Sequence, residues 1–353
     1  MKARTSQEIF LNIPCFSELF ACNRAGLLLL FLYIHSGFQK EAKTAVQAVV
    51  LSAELILILL VGYCAQKFRL VPENFGKYVS AFVMKIALPC MIVNSMNVPN
   101  AMEKLRANIW ILAVSAGVLL FSFFVGLLLG RVFKKWLPER IVRFGAMFTN
   151  FNFFGLVVVE QLGGEELLFY YLIYIIPVRL SIYILAKVLL MPPGSQGGKT
   201  GLWSKLKLVL SPPLIAVFVG LALSAFNVKL PVVLQYGLDK IGGMAATLGI
   251  LQCGATLGSY PVKRMLSGAS VALTVLRNLL MPLLILLLCR LIGLPVMYTQ
   301  LAVIYSALPV ASLTSTYVVQ YDPDPEHHLI GAGFVFVSTL LSAATLTLFL
   351  NLL

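Results

Sequence analysis

Phe148-Thr149-Asn150-Phe151-Asn152-Phe153-Phe154-Gly155-Leu156-Val157 sets two asparagines and a glycine inside an apolar run, and Ser306-Ala307-Leu308-Pro309-Val310-Ala311-Ser312-Leu313-Thr314-Ser315-Thr316 sets a proline and a dense row of hydroxyls inside another. In hydrocarbon such groups are costly unless they face protein or a cavity. Pro309 removes one helical N–H and frees a carbonyl. Helices interrupted at corresponding places in two halves of a chain are the strongest sequence pointer to a transporter's binding site. A half-helix that begins at such a break turns free N–H groups and the positive end of its dipole toward the opening, which suits a carboxylate. Asn150, Asn152, Phe153 and Gly155 from the first stretch, with Pro309, Val310, Ser312, Thr314 and Ser315 from the second, are therefore the candidate substrate-binding residues. The competing reading makes the amides and hydroxyls interhelical glue.

The surrounding sequence is consistent with lipid as the solvent. Of 353 residues, 59% are hydrophobic and 12% charged, about half the charged share of a soluble domain. The net charge of +13 does not indicate nucleic acid, because the basic residues occupy short loops between apolar runs, as insertion topology requires. Ten runs reach the length of a membrane span, near residues 48–66, 76–97, 108–133, 141–161, 165–190, 206–226, 232–258, 267–290, 297–320 and 327–352. The expectation is an all-α polytopic membrane protein of ten transmembrane helices in which helices 4 and 9 are broken. The stretch from Met191 to Lys207, with Pro192, Pro193, Gly194, Gly197 and Gly198, reads as the linker between halves. The expected organisation is an N-terminal extension over 1–44, a first repeat over 45–190, a linker over 191–205 and a second repeat over 206–353. Ala25 to Ile34 is apolar but too short to span.

Two matches at nearly one offset point to duplication. Gly62 and Gly220 close helices 1 and 6 at a separation of 158, and Gln161 and Gln320 close helices 4 and 9 at a separation of 159. With five helices in each unit, the second copy is inverted, the arrangement of many secondary transporters. Loops after odd-numbered helices carry Lys67, Arg69, Arg131, Lys134, Lys135, Arg140, Arg143, Lys199, Lys205, Lys263 and Arg264. These loops are expected inside, with both termini outside the cell membrane.

Other chemistry is sparse. Lys85, four residues before Pro89, is the embedded cation best placed to attract an anion, though it could also snorkel. Arg277 lies inside the eighth run, and Glu54 and Glu160 are the carboxylates nearest the membrane. Six scattered cysteines form no metal or disulfide pattern, and His327-His328 beside Asp322, Asp324 and Glu326 reads as a solvated turn. No Walker loop or HExxH motif occurs, so neither an enzyme nor an ATP-driven pump is expected, and no cofactor or metal.

The order of Gly62-Tyr63, Leu70-Val71-Pro72-Glu73-Asn74, Leu88-Pro89, Asn150 through Gly155, Gly163-Gly164-Glu165-Glu166, Ser211-Pro212-Pro213, Cys253-Gly254-Ala255-Thr256-Leu257, Arg277 with Pro282, and Leu308-Pro309 resembles the auxin efflux carrier family of organic-anion carriers. The resemblance runs from about Val46 to the C-terminus. It implies the fold of the bile-acid/sodium symporters, with helices 1, 2, 6 and 7 as scaffold, helices 3–5 and 8–10 as a moving transport domain, and the broken helices crossing at the substrate. Val157 stands where the family usually has proline, so the first break depends on Gly155 and the asparagines. The expected function is a secondary carrier of a small organic anion, a dicarboxylate or an aromatic carboxylate; the alternative is a non-transporting membrane receptor or regulator on the same fold. Expected partners are that anion, membrane lipid and, for coupling, a proton or sodium ion. A homodimer is open to such a carrier, and nucleic acid is not expected.

Overall fold

In the computed structural model the described residues are 50, 53–192, 210–261 and 266–353, all within a compact unit spanning Ala48–Leu353. The expected N-terminal extension and nearly all of the linker lie outside the described residues. The regular elements described are helical: α1 (residues 53–67), α2 (Phe75–Met96), α3 (Ala101–Ala107), α4 (Trp110–Phe133), α5 (Glu139–Met147), α6 (Phe154–Leu190), α7 (Pro212–Ala225), α8 (Val232–Gly258), α9 (Gly268–Ile292), α10 (Val296–Ala307), α11 (Leu313–Tyr321) and α12 (Pro325–Leu350).

Local chemistry explains most of the boundaries. Pro212, Pro213 and Pro325 occupy first helical turns, where a missing N–H is harmless. Asp324 caps α12 by accepting from the Glu326 N–H at 2.9 Å, and Ser267 caps α9 by accepting from the Ser270 N–H at 3.1 Å. Gly293 ends α9 at a φ of 72°. In α2 a π-turn over Val83–Ala87 immediately precedes Pro89, where the pyrrolidine ring would otherwise clash with the preceding turn. The expected boundary between helices 4 and 5 is a kink inside α6, at Gly164, whose φ of 60° and ψ of −156° suit glycine.

Five helices among the described residues are long and apolar enough to cross a membrane unbroken: α2, α4, α6, α8 and α9. A sixth is α12, bent by 46° between Pro325–Ser342 and Ala344–Leu350. The remaining apolar elements are short or interrupted; α7 and α10 are apolar over 14 and 12 residues.

Helices α1, α2, α7 and α8 pack as one group. There, a side chain at Gly62 would meet the Leu251 carbonyl oxygen at 2.0 Å, and one at Gly254 would meet the Leu59 carbonyl oxygen at 2.0 Å. The two glycines let α1 and α8 touch backbone to backbone, the close approach that small residues permit between membrane helices. Helices α4, α5, α6, α9, α10, α11 and α12 pack as a second group, and α6 bridges to α2 and α8.

Candidate functional site

The two interruptions meet. Residues 148–153 separate α5 from α6, and residues 308–312 separate α10 from α11. Thr149 pairs antiparallel with Val310. The Asn150 N–H donates to the Pro309 carbonyl at 2.8 Å, and the Ala311 N–H donates to the Phe148 carbonyl at 3.1 Å. Each break thus satisfies backbone groups that the other leaves open, which a lipid environment demands.

Buried side chains satisfy further groups. Tyr171 donates to the Phe151 carbonyl at 3.1 Å and Tyr305 to the Met147 carbonyl at 3.1 Å. The Val310 N–H donates to Ser338 Oγ at 3.0 Å. Arg277 reaches the Leu308 carbonyl through Nη1 at 2.6 Å and Asn278 Oδ1 at 3.0 Å. Arg179 donates from Nη2 to Asn152 Oδ1 at 2.8 Å, and its guanidinium lies 6.0 Å from the centre of the Phe151 ring.

Arg179 and Arg277 are 1% and 0% exposed. Among the described residues neither has a carboxylate within ion-pair distance. Nε of Arg179 and both Nε and Nη2 of Arg277 lack a hydrogen-bond partner there. Burying a guanidinium costs several kcal/mol unless charge and donors are compensated. Two buried positive charges sit at one crossover.

A pocket of about 10 Å³ lies at the crossover, bordered by Met84, Thr149, Asn150, Phe151, Asn152, Phe153, Ala311, Ser312 and Leu313. That is roughly the space of one water and far below the ~300–1,000 Å³ typical of ligand pockets, so this conformation is closed around the crossover. Of the candidate residues, Asn150, Asn152, Phe153 and Ser312 border it. Phe153 packs into a notch on α8, where a side chain at Gly249 would meet its ring at 2.4 Å. Asn150 Nδ2 reaches Cys253 Sγ, also on α8, at 3.5 Å.

The other candidates build the crossing. Pro309 and Val310 supply its backbone pairing, and Thr314 and Ser315 are buried in the first turn of α11. Gly155 is required by proximity, because a side chain there would lie 1.9 Å from the Tyr171 hydroxyl. Lys85 is exposed and does not border the cavity, although its neighbour Met84 does.

One expectation is corrected. His327 and His328 are not in a solvated turn but in the first turn of α12, beside an Asp322 that is 2% exposed. Asp322 accepts from Arg140 Nη2 at 3.1 Å and from His327 Nδ1 at 2.9 Å, tying the start of α5 to the end of α11. Among the described residues no group of three or more metal-ligating side chains gathers. The sequence reading missed Arg179, Tyr171 and Ser338; the available signal was a lone arginine, Arg179, two residues after Pro177 in an otherwise apolar run.

A multi-pass helical bundle with two interrupted helices paired over a small cavity defines a membrane transport protein. The chain belongs to the auxin efflux carrier family: the family profile described as "Membrane transport protein" matches residues 47–350. A curated relative from Rhizobium meliloti (strain 1021), named "Putative malonate transporter", is 24% identical over 308 residues, covering 82% of this chain and 91% of its own length. Members of this family are transporters rather than enzymes.

Proposed function

We propose that this protein is a secondary carrier of a small organic anion, most simply a short dicarboxylate, working by alternating access. The observation that carries the reading is the pair of fully buried arginines at the crossover with no carboxylate partner among the described residues. The name of the Rhizobium relative is in keeping with a short dicarboxylate.

The architecture under this proposal is ten spans in two inverted five-helix repeats. Helices α1, α2, α4, the broken α5–α6 start and the rest of α6 correspond in order to α7, α8, α9, the broken α10–α11 and α12. The α1, α2, α7 and α8 group is the scaffold, and the other group carries the crossover past it. Loop charge supports a plasma-membrane orientation with both termini outside. Carboxylates within the apolar helices are few, Glu54, Glu160 and Asp239 among them, which favours efflux or exchange over proton- or sodium-coupled uptake.

Thermal unfolding of the purified protein tests this proposal. A ligand at 100 times its Kd stabilises the fold by about 2.7 kcal/mol. Malonate and its neighbours in chain length should raise the Tm in a saturable way, and organic cations should not. A panel of mono- and dicarboxylates that leaves the Tm unmoved would reject the anion reading in favour of a receptor without such a ligand.

A further inference from the structure

Asn150 and Asn152 are the two amide side chains that border the cavity. An amide can present either an acceptor oxygen or an NH2 donor, so its orientation determines what the cavity recognises. The Asn152 oxygen accepts from Arg179 Nη2 at 2.8 Å. A guanidinium has no acceptor, so turning this amide over would set NH2 against N–H at hydrogen-bond distance. The Asn150 oxygen accepts from the Phe153 N–H at 3.3 Å, and its Nδ2 lies toward Cys253 Sγ at 3.5 Å. Both oxygens are engaged by the protein; Asn150 donates one N–H to Cys253 and keeps the other, and the Asn152 NH2 is left for the cavity. The hydroxyls of Thr149 and Ser312, which also border it, can rotate to donate.

We propose that Arg179 is a positioning residue that holds Asn152 as an obligate donor, so that the cavity is lined by donors and selects ionised carboxylates over the corresponding amides. The proposal rests on the anion-carrier reading and extends it to the basis of selectivity. Arg179 is 1% exposed and acts on the solute through Asn152. An ionised carboxylate offers only acceptors and matches such a surface. A primary amide brings an NH2 group that the two asparagines, with their oxygens engaged, cannot accept, and an unpaired buried donor is penalised in full.

The test compares malonate with its monoamide, malonamate, on the full-length protein by ligand-dependent thermal shift. The wild type should favour malonate strongly. Asn152→Asp keeps the size of the side chain and an oxygen for Arg179, so the protein should retain wild-type thermal stability without ligand. Its malonate affinity should fall on the order of 100-fold, because a donor is replaced by a like charge. Arg179→Met releases the amide and should bring the two ligands toward parity, whereas Arg179→Lys, which can still donate to the Asn152 oxygen, should restore the preference. A purely structural role for Arg179 would lower stability without altering the ratio. Wild-type malonate affinity in Asn152→Asp, or an unchanged preference in a folded Arg179→Met, would overturn the proposal and leave the anion carrier standing. If no carboxylate binds the wild type, the carrier reading falls and this one with it.

Discussion

Gly155→Ala probes the point where the two breaks are held together. The new methyl would sit 1.9 Å from the Tyr171 hydroxyl, 2.8 Å from its ring carbon and 2.9 Å from a Leu308 methyl. Tyr171 is fully buried and cannot swing into solvent. Relief requires it to withdraw from the Phe151 carbonyl, which it meets at 3.1 Å. Losing that hydrogen bond costs about 0.5–1.5 kcal/mol, and overpacking costs about 1–3 kcal/mol. The better helix propensity of alanine returns roughly 0.5–1 kcal/mol. The net expectation is a destabilisation of about 0.5–4 kcal/mol, read as a lower Tm of the detergent-purified protein with transport reduced. In a Tyr171→Phe background the closest atom is absent, so the added cost of Gly155→Ala should shrink. A Gly155→Ala protein with wild-type Tm and transport would refute the close approach of α6 to Tyr171 and Leu308 and the role assigned to that glycine.

Further outcomes follow from other features. Asp322→Ala should lower stability by about 1–3 kcal/mol, measured by thermal unfolding, because it strips a buried acceptor from Arg140 and His327; an unchanged Tm would mean that the link between α5 and α11 contributes nothing. Lys85 is exposed and does not border the cavity, so Lys85→Gln and Lys85→Arg should transport within about threefold of wild type, as for a snorkelling residue. A tenfold loss confined to Lys85→Gln would return its charge to the substrate path. A cysteine at Gly197, in a background without native cysteines, should resist a membrane-impermeant thiol reagent in intact cells; rapid labelling would reverse the proposed orientation.

How far the sequence revealed this arrangement depended on how local each feature is. The breaks were visible because Asn150, Asn152, Gly155 and Pro309 each violate the chemistry of an apolar helix within a few residues. That the breaks pair through Thr149 and Val310 follows from long-range packing, to which only their matching positions in the two halves pointed. Arg179 was overlooked because a single arginine in an apolar run ordinarily snorkels, and its burial depends on contact with Phe151 and Asn152, from another part of the chain. Arg277 falls inside an apolar run in the sequence, but its contact with the Leu308 carbonyl, 31 residues away, is long-range. Asp322 looked solvated beside two prolines, and its burial rests on Arg140, 182 residues away. The side on which Lys85 faces is set by the π-turn before Pro89, which shifts the helical phase in a way that periodicity does not reveal.

Under the proposed mechanism the paired breaks and the two buried arginines move a small anion across the membrane. Counterflow measures this most directly: proteoliposomes loaded with unlabelled malonate are diluted into labelled malonate without an ion gradient. The account predicts transient accumulation of label inside, abolished in a folded Asn152→Asp protein and competed by other short dicarboxylates. Label that enters no faster than into protein-free liposomes, under conditions where malonate stabilises the purified protein, would contradict it and leave a binding protein that does not transport.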